Sequence, residues 1–348
     1  MISNSSFFDH INFLIKEKHP FAAFKMPNSS TIECYADTDK NLTKKITPLG
    51  SGFIMMPFNL SKGGYLITPK EIVSTQFLQP YINNRPPLFF DEINAGFKAY
   101  KKEYLTGVLN ILTEIACTDL IKSVYSTSFE FELNSKNVIK YFKNLLGLYP
   151  SAFCSLFFHP NDGFWMGASP ETLIEIQNKK VLTMALAGTK KLEDSKWGKK
   201  ELREQKIVQD EIQKNLAPIC KNLTFLKTET SRAGGVEHLK TIITGDTNKS
   251  PWEIITALHP TPAVAGVPKN KAISTIAANE NHDRSFYSGF LGKINSSDCK
   301  LFVNLRCLHI KNNQAKIFVG GGITQDSEPE KEWEELLQKS QTMLNVLF

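Results

Sequence analysis

The chain has 348 residues, 41% hydrophobic and 22% charged, a composition typical of a globular protein with one large domain or two small ones. The formal net charge of +6 is modest and spread along the chain, which gives little support to nucleic acid or a membrane as partner but is compatible with a small anionic substrate. The six cysteines form no C-x-x-C pair, and no apolar run reaches about 18 residues. We therefore expect a soluble cytoplasmic protein.

The first 90 residues carry no motif that we can assign. They end in YINNRPPLFF, where the prolines at 86 and 87 predict a connection between two parts of the chain. We therefore divide the chain into an N-terminal lobe, residues 1–90, and a working region, residues 95–348, both belonging to the same fold.

The working region begins with alternating helices and strands. A helix is predicted over 98–117, a strand over 121–133 and a second helix over 136–147. Two groups of short, turn-punctuated strands follow at 151–188 and 286–323, which predicts antiparallel hairpins. Hairpin groups separated by helices indicate an α+β architecture with large antiparallel sheets.

The segment 200–219 is predicted to be an amphipathic helix with an apolar row at four-residue spacing: Val208, Ile212 and Leu216. One step back on that row stands Glu204, and Glu201 lies three residues earlier on the same side. Acids near a helix start are also favoured by the helix dipole. The two carboxylates therefore either face water or face a site.

A last helix is predicted to begin with a capping box, in which Ser327 is the N-cap and Glu330 its partner. Glu332 and Glu335 lie beyond this first turn. Glu335 and Lys339, four residues apart, could form an exposed ion pair worth about 0.3 to 0.5 kcal/mol. Alternatively, each of the two helices supplies one carboxylate to Mg²⁺, which prefers oxygen ligands, and a second carboxylate that holds a bound water.

Several single residues allow two interpretations. The glycines at 320–322 follow a strand and could present backbone N–H groups to an anion, or form a bend or β-bulge. Arg306 suits a carboxylate but could be a surface strand residue, and Lys122 could be an edge-strand lysine. Proline-containing loops present Glu171 and His259, and His259 is as plausible as a structural hydrogen-bonding residue.

The ordered set IKSVYS, GASPE, LAGT, ELREQ, LHPTPAVAG, DRSFYSG, LRC, GGGIT and EWEELLQKSQTML resembles the chorismate-utilising enzymes. This family includes isochorismate synthase, salicylate synthase, anthranilate synthase component I and aminodeoxychorismate synthase. The resemblance covers residues 95–348 and implies the anthranilate synthase component I-like α+β fold.

The resemblance also implies a metal and a substrate site. Glu204 and Glu335 match ligands of Mg²⁺, and Glu201 and Glu332 match their water-holding companions. The implied substrate contacts are Gly188, Thr189, His259, Ala263, Tyr287, Arg306, Gly320, Gly321, Gly322 and Lys339. Gln205, where relatives commonly have His, departs from the pattern without removing a proposed functional group.

Three positions favour one activity within the family. Ala187 replaces the lysine nucleophile of covalent aminodeoxychorismate synthases, Lys122 matches members that add water, and Ala263 matches isochorismate-forming members. We therefore expect isochorismate synthase activity in menaquinone or siderophore biosynthesis, by a monomer without a glutaminase subunit. The alternatives are salicylate synthase, anthranilate synthase component I and a non-catalytic chorismate-binding protein.

Moving the hydroxyl of chorismate from C4 to C2 needs a base that activates water and an acid that protonates the leaving hydroxyl. We assign Lys122 as the base and Glu171 as the acid. For Glu171 to donate a proton near neutral pH, its pKa has to be raised by burial.

Overall fold

The computed structural model describes residues 1–38, 44–45, 47, 50–77, 90–133, 135–192, 196–233 and 235–348. This part of the chain forms seven α-helices. They are α1 (Asn4–Lys16), α2 (Phe90–Cys117), α3 (Val138–Leu148), α4 (Lys199–Leu216), α5 (Pro251–Leu258), α6 (Lys269–Asn279) and α7 (Pro329–Leu347). None of the described helices is both long and apolar enough to span a bilayer.

The described residues also form eighteen strands. Those of the first half are β1 (Phe21–Lys25), β2 (Thr31–Ala36), β3 (Gly52–Met56), β4 (Tyr65–Ile67), β5 (Glu71–Gln76), β6 (Lys122–Glu132), β7 (Phe153–His159), β8 (Gly163–Ser169) and β9 (Thr172–Gln177). The remainder are β10 (Lys180–Lys191), β11 (Lys221–Phe225), β12 (Glu229–Ala233), β13 (Val236–Asp246), β14 (Gly266–Val267), β15 (Phe290–Ile294), β16 (Cys299–Val303), β17 (Cys307–Lys311) and β18 (Gln314–Thr324).

The strands pair into two antiparallel sheets. The first has the order β14-β6-β18-β17-β8-β7-β1-β2-β5, and the second has the order β11-β13-β10-β9-β16-β15-β3-β4, with β12 paired to β13. Strands β1, β2 and β5 of the N-terminal region belong to the first sheet, whereas β3 and β4 belong to the second. The predicted connection near 86 and 87 lies outside the described residues, and the division at 90 stays a prediction.

The two sheets pack face to face through aromatic side chains. The rings of Phe24 on β1 and Phe53 on β3 stack with centroids 4.9 Å apart, and those of Phe153 on β7 and Phe302 on β16 with centroids 4.1 Å apart. Each pair joins one sheet to the other, and stacked aromatic pairs contribute about 0.5 to 1.5 kcal/mol beyond the area that they bury. The aromatic layer therefore fixes how the sheets face each other.

Helices cover the outer face of each sheet. A large apolar cluster joins the first sheet to α1, α2, α3 and α7, and a second cluster joins the second sheet to α4 and α5. The predicted α+β architecture of antiparallel sheets and helices is thus confirmed. The predicted apolar row Val208, Ile212 and Leu216 of α4 is buried in the second cluster.

The predicted capping box at the start of the last helix is wrong. The N-cap of α7 is Glu328, whose side chain makes no capping hydrogen bond. Ser327 Oγ instead accepts a hydrogen bond from the backbone N–H of Thr324, 3.1 Å away, and so closes the turn between β18 and α7. Glu330 forms an ion pair with Lys101 of α2 at 2.8 Å.

Candidate active site

A cavity lies where the C-terminal part of β18 passes between α4 and α7. About 700 Å³ of space not filled by atoms lies there, part of it open to solvent. Its lining includes Lys122, Glu171, Gly188, Thr189, Glu204, His238, Ala263, Tyr287, Arg306, Gly320, Gly321, Gly322, Glu335 and Lys339. The structure thus brings thirteen of the sixteen predicted site residues together, although they come from distant parts of the chain.

Lys122 is buried inside this cavity. The side chain is 1% exposed, and β6 is flanked at this point by Val267 of β14 and Thr324 of β18, so Lys122 is not an edge-strand lysine facing water. Lys122 Nζ forms an ion pair with Glu204 Oε1 at 2.9 Å. A buried amine and a carboxylate from α4 therefore meet at the cavity wall.

Glu171 follows β8 and presents a second carboxyl to the same cavity. Burial raises the pKa of Glu171 to about 8, and the nearby charge of Lys122 opposes this rise. A carboxyl with this pKa is largely protonated at neutral pH and can donate a proton. Lys122 and Glu171 thus offer a potential base and a potential acid in one cavity.

Two acids of α7 reach the same region. Glu335 Oε1 forms an ion pair with Lys339 Nζ at 2.6 Å, and Glu332 Oε1 lies 2.5 Å from Lys200 Nζ of α4. Burial acts to raise the pKa of Glu335, but Lys339 and Lys200 together hold it below its usual value. Burial and the adjacent Glu335 carboxylate raise the pKa of Glu332. The Glu335–Lys339 pair exists as predicted, but it lines the cavity instead of an exposed helix face.

The glycines of β18 let these side chains approach the strand. The pairing of β18 with β6 continues without a register shift from Gln314 to Thr324, so the alternative of a β-bulge is wrong. A Cβ on Gly322 would lie 2.5 Å from Glu204 Oε1 and 2.9 Å from Lys122 Cε. Any larger residue at this position would collide with the Lys122–Glu204 pair.

Next to Gly322, three oxygens surround a gap left by the missing side chain of Gly321. A Cβ on Gly321 would lie 3.4 Å from Glu332 Oε2, 3.6 Å from Tyr104 Oη and 3.8 Å from Glu335 Oε1. Among the described residues, Tyr104 Oη has no hydrogen-bond partner although it is buried. Oxygen donors around an unfilled gap, with an orphaned hydroxyl, fit the chemistry of a hard cation such as Mg²⁺.

Within the described ranges, no three His, Cys, Asp or Glu side chains form a complete metal site by themselves. Mg²⁺ is usually held by one or two carboxylates together with waters and substrate oxygens. Glu204 and Glu335, which both line the cavity together with Gly321 and Gly322, are the residues that could supply those carboxylates.

Arg306 forms the other end of the cavity and adopts a left-handed backbone, with φ of 48°. Arg306 Nη1 donates to Thr342 Oγ1 at 3.0 Å, and Nη2 lies 3.3 Å from His238 Nε2. Burial lowers the pKa of Arg306 to about 10, so the guanidinium stays charged at neutral pH. Lys339 Nζ donates to Gly320 O at 3.1 Å nearby, and two cations thus face the space where a carboxylate could bind.

His238 was not found by the sequence analysis. Its Nδ1 lies 3.0 Å from Gly188 O, and its Nε2 faces Arg306. A carbonyl only accepts and a guanidinium only donates, so the ring carries its proton on Nδ1 and accepts at Nε2. Burial, with the charge of Arg306, lowers the pKa of His238 to about 3. The available signal was a histidine that shares the buried side of β13 with Val236.

Three predicted residues lie outside the cavity lining. His259 Nε2 lies 2.9 Å from Phe58 O, and its side chain borders a separate pocket, which supports the structural alternative for this histidine. Glu201 packs against Gly188 near the start of α4, and Glu332 lies behind Gly321. Gln205, the departure from the family pattern, accepts from the backbone N–H of Ala187 at 3.0 Å and so has a structural role.

A family model described as "Chorismate binding enzyme" matches residues 91–348. The isochorismate synthase DhbC of Bacillus subtilis (strain 168) is 32% identical over 203 residues, which are 52% of this chain and 50% of that protein. The chain spans about half the length of the first curated relatives it matches.

Solved structures share the fold. DhbC from Bacillus anthracis, described as a 2,3-dihydroxybenzoate-specific isochorismate synthase, superposes with a TM-score of 0.79 at 24% identity, covering 97% of this chain and 98% of that one. Anthranilate synthase component I from Streptococcus pneumoniae TIGR4 superposes with a TM-score of 0.69 at 18% identity, covering 93% and 90%. The predicted anthranilate synthase component I-like fold is therefore confirmed.

Proposed function

The chain belongs to the chorismate-binding enzyme family, and we propose that it is an isochorismate synthase that converts chorismate to isochorismate with Mg²⁺. The observation that carries the proposal is that Lys122 and Glu171, with a pKa of about 8, line one buried cavity. The names of the curated relatives support it. A protein that only bound chorismate would have no need of a paired base and acid.

One part of the cavity carries cations that could bind a substrate carboxylate, and another part carries carboxylates that could hold the metal ion. Arg306 and Lys339 offer cationic donors to a substrate carboxylate, and the planar guanidinium favours bidentate binding. Glu204 and Glu335 would hold the cation, which when bound supplies positive charge that polarises the ring carboxylate of the substrate. Tyr287 and Ala263 also line the cavity.

The reaction that we propose moves two protons, one to Lys122 and one from Glu171. Lys122 Nζ takes a proton from a water whose oxygen forms a bond to C2. The double bonds shift, the C4–O bond breaks, and the Glu171 carboxyl gives its proton to the departing hydroxyl, which leaves as water. One water enters and one leaves. A proton then returns from Lys122 to Glu171 through solvent, and the protein is reset.

The lining of the cavity favours water over other nucleophiles. Ala187 provides no amine that could attack the ring, and the proposal requires no ammonia and hence no glutaminase subunit. We further propose that the chain acts as a monomer and in the cytoplasm. The location is supported by six unpaired cysteines, which are usual where thiols stay reduced.

Product identification tests the proposal. Purified protein should convert chorismate to isochorismate with Mg²⁺, at equal rates with and without ammonium, as measured by chromatography and mass spectrometry. Anthranilate formed only with ammonium, or salicylate together with pyruvate, would replace the proposal with one of the alternative activities.

A further inference from the structure

The hydroxyl of Tyr104 is a buried polar group for which the described residues provide no partner. The Tyr104 side chain is 1% exposed, and Oη makes no hydrogen bond within the described part of the chain. A buried hydroxyl left unpaired is unfavourable, so such groups usually have a partner in ordered water or a ligand. We therefore expect the hydrogen-bond partner of the Tyr104 hydroxyl to be a bound water or a ligand.

The hydroxyl is held firmly in its place. The Tyr104 ring stacks on Tyr125 of β6 with centroids 5.1 Å apart and lies 5.7 Å from the ring of Trp333 of α7. Both neighbours are themselves buried. Because the ring is packed on two sides, Oη cannot turn toward bulk water, and its direction is set by the packing.

The Tyr104 hydroxyl lies beside the acids of α7. Glu332 Oε2, Tyr104 Oη and Glu335 Oε1 lie within 3.4 to 3.8 Å of the point that a Cβ on Gly321 would occupy. The other oxygen of Glu332 is already engaged by Lys200. Three oxygens from two helices thus face one gap beside β18, and one of the three can donate a proton.

We propose that Tyr104 belongs to the divalent-cation site, where its hydroxyl hydrogen-bonds to a water bound to the cation and to a carboxylate of α7. The inference rests on the proposed function, because the cation is the one that Glu335 and Glu204 would hold. A phenol suits this position because it can accept a hydrogen bond from a cation-bound water and donate its own proton to a carboxylate. Tyr104 thereby orients the water and the acid without touching the cation.

The test is a titration with Mn²⁺, a paramagnetic substitute for Mg²⁺, in which electron paramagnetic resonance measures the free ion. Tyr104→Phe should weaken Mn²⁺ binding by about 10-fold, the usual effect of losing a partner that orients a metal site. Tyr125→Phe is the matched control, because the Tyr125 hydroxyl has a partner within the protein, the Asn279 carbonyl, to which it donates at 3.3 Å. That control should bind Mn²⁺ within twofold of the parent protein.

A second variant separates loss of cation binding from loss of folding. Gly321→Ala places a methyl in the gap at ordinary contact distances, so the protein should fold with an unchanged melting temperature yet lose Mn²⁺ affinity. Both variants should also recover turnover at high Mg²⁺, which a misfolded protein would not do.

The outcomes separate this inference from the proposed function. Unchanged Mn²⁺ affinity in Tyr104→Phe, together with weakened affinity in Glu335→Gln, would overturn the role of Tyr104 and leave the cation site standing. A parent protein that binds no Mn²⁺ and turns over chorismate without a divalent cation would overturn both.

Discussion

Lys122 Nζ lies 2.9 Å from Glu204 Oε1 inside the cavity, so the proposed base and a proposed cation ligand share one ion pair. The two residues are far apart in sequence, and α4 brings the carboxylate to β6 across the backbone of Gly322. Breaking a buried pair from one side leaves an uncompensated charge. The two partners therefore have to be tested with separate measurements.

Lys122→Ala should lower turnover of chorismate by about 10²- to 10⁴-fold, the range expected for loss of a general base. Because the mutation also removes the ammonium that competes for Glu204, Mn²⁺ binding should stay as tight as in the parent protein or become tighter. Steady-state kinetics and the Mn²⁺ titration measure the two effects. Substantial residual turnover would remove Lys122 as the base.

Glu335→Gln should weaken Mg²⁺ binding by at least about 10-fold, because a carboxylate that would hold the cation becomes neutral. Glu334→Gln is the matched control, since Glu334 is the adjacent acid and does not line the cavity. The Mg²⁺ concentration at half-maximal rate is the measurement. A normal Mg²⁺ dependence in Glu335→Gln would count against the assignment of this ligand.

The pH dependence of kcat/KM should report Glu171. The acid has to be protonated to donate, so the rate should fall as pH rises through about 8. Glu171→Gln should be nearly inactive at every pH. Because burial raises the folded-state pKa above the ordinary value of 4.5, stability from this group is fully present below about 4.5 and is lost as pH rises through about 8. A rate that stays level from pH 7 to 10 would contradict the assignment.

Gly322→Ala should abolish turnover, since its Cβ would collide with Glu204 Oε1 and Lys122 Cε. Gly96→Ala is the control. Gly96 is an exposed residue of α2 with nothing within 4 Å of an added Cβ, and the change should stabilise the helix by about 1 kcal/mol. Turnover and thermal unfolding are measured for both variants. An active Gly322→Ala protein would show that the cavity wall is less rigid than described.

Arg306→Lys should raise KM for chorismate by about 10- to 100-fold, because a lysine cannot reproduce the bidentate geometry and loses the contact to His238. Arg203→Lys, on the exposed side of α4, should change KM by less than twofold. An unchanged KM in Arg306→Lys would place the substrate carboxylate elsewhere.

Patterns within single elements were predictable from the sequence. The four-residue spacing on α4 predicted both the buried row ending at Leu216 and the unusual position of Glu204, because a helix repeats its faces at that interval. The glycines at 320–322 were predicted to follow a strand, but they lie within β18. Their place in a regular strand depends on pairing with β6, which local sequence does not specify.

Other features arise only from contacts between distant elements. Lys200, which forms a pair with the buried Glu332 of α7, was not singled out in the sequence analysis. Ser327 had the sequence of an N-cap, but a hydrogen bond from Thr324 shifted the start of α7 by one residue. Tyr104 was not singled out in the sequence analysis either, because the position of its hydroxyl beside Gly321 arises only from the packing of α2, α7 and β18.

The most direct test of the central claim is to incubate the purified protein with chorismate and Mg²⁺ in H₂¹⁸O and to analyse the products by mass spectrometry. Addition of water at C2 predicts isochorismate that carries one ¹⁸O atom, with no need for ammonium and little pyruvate. Chorismate that binds but is not converted, or a product other than isochorismate, would contradict the account.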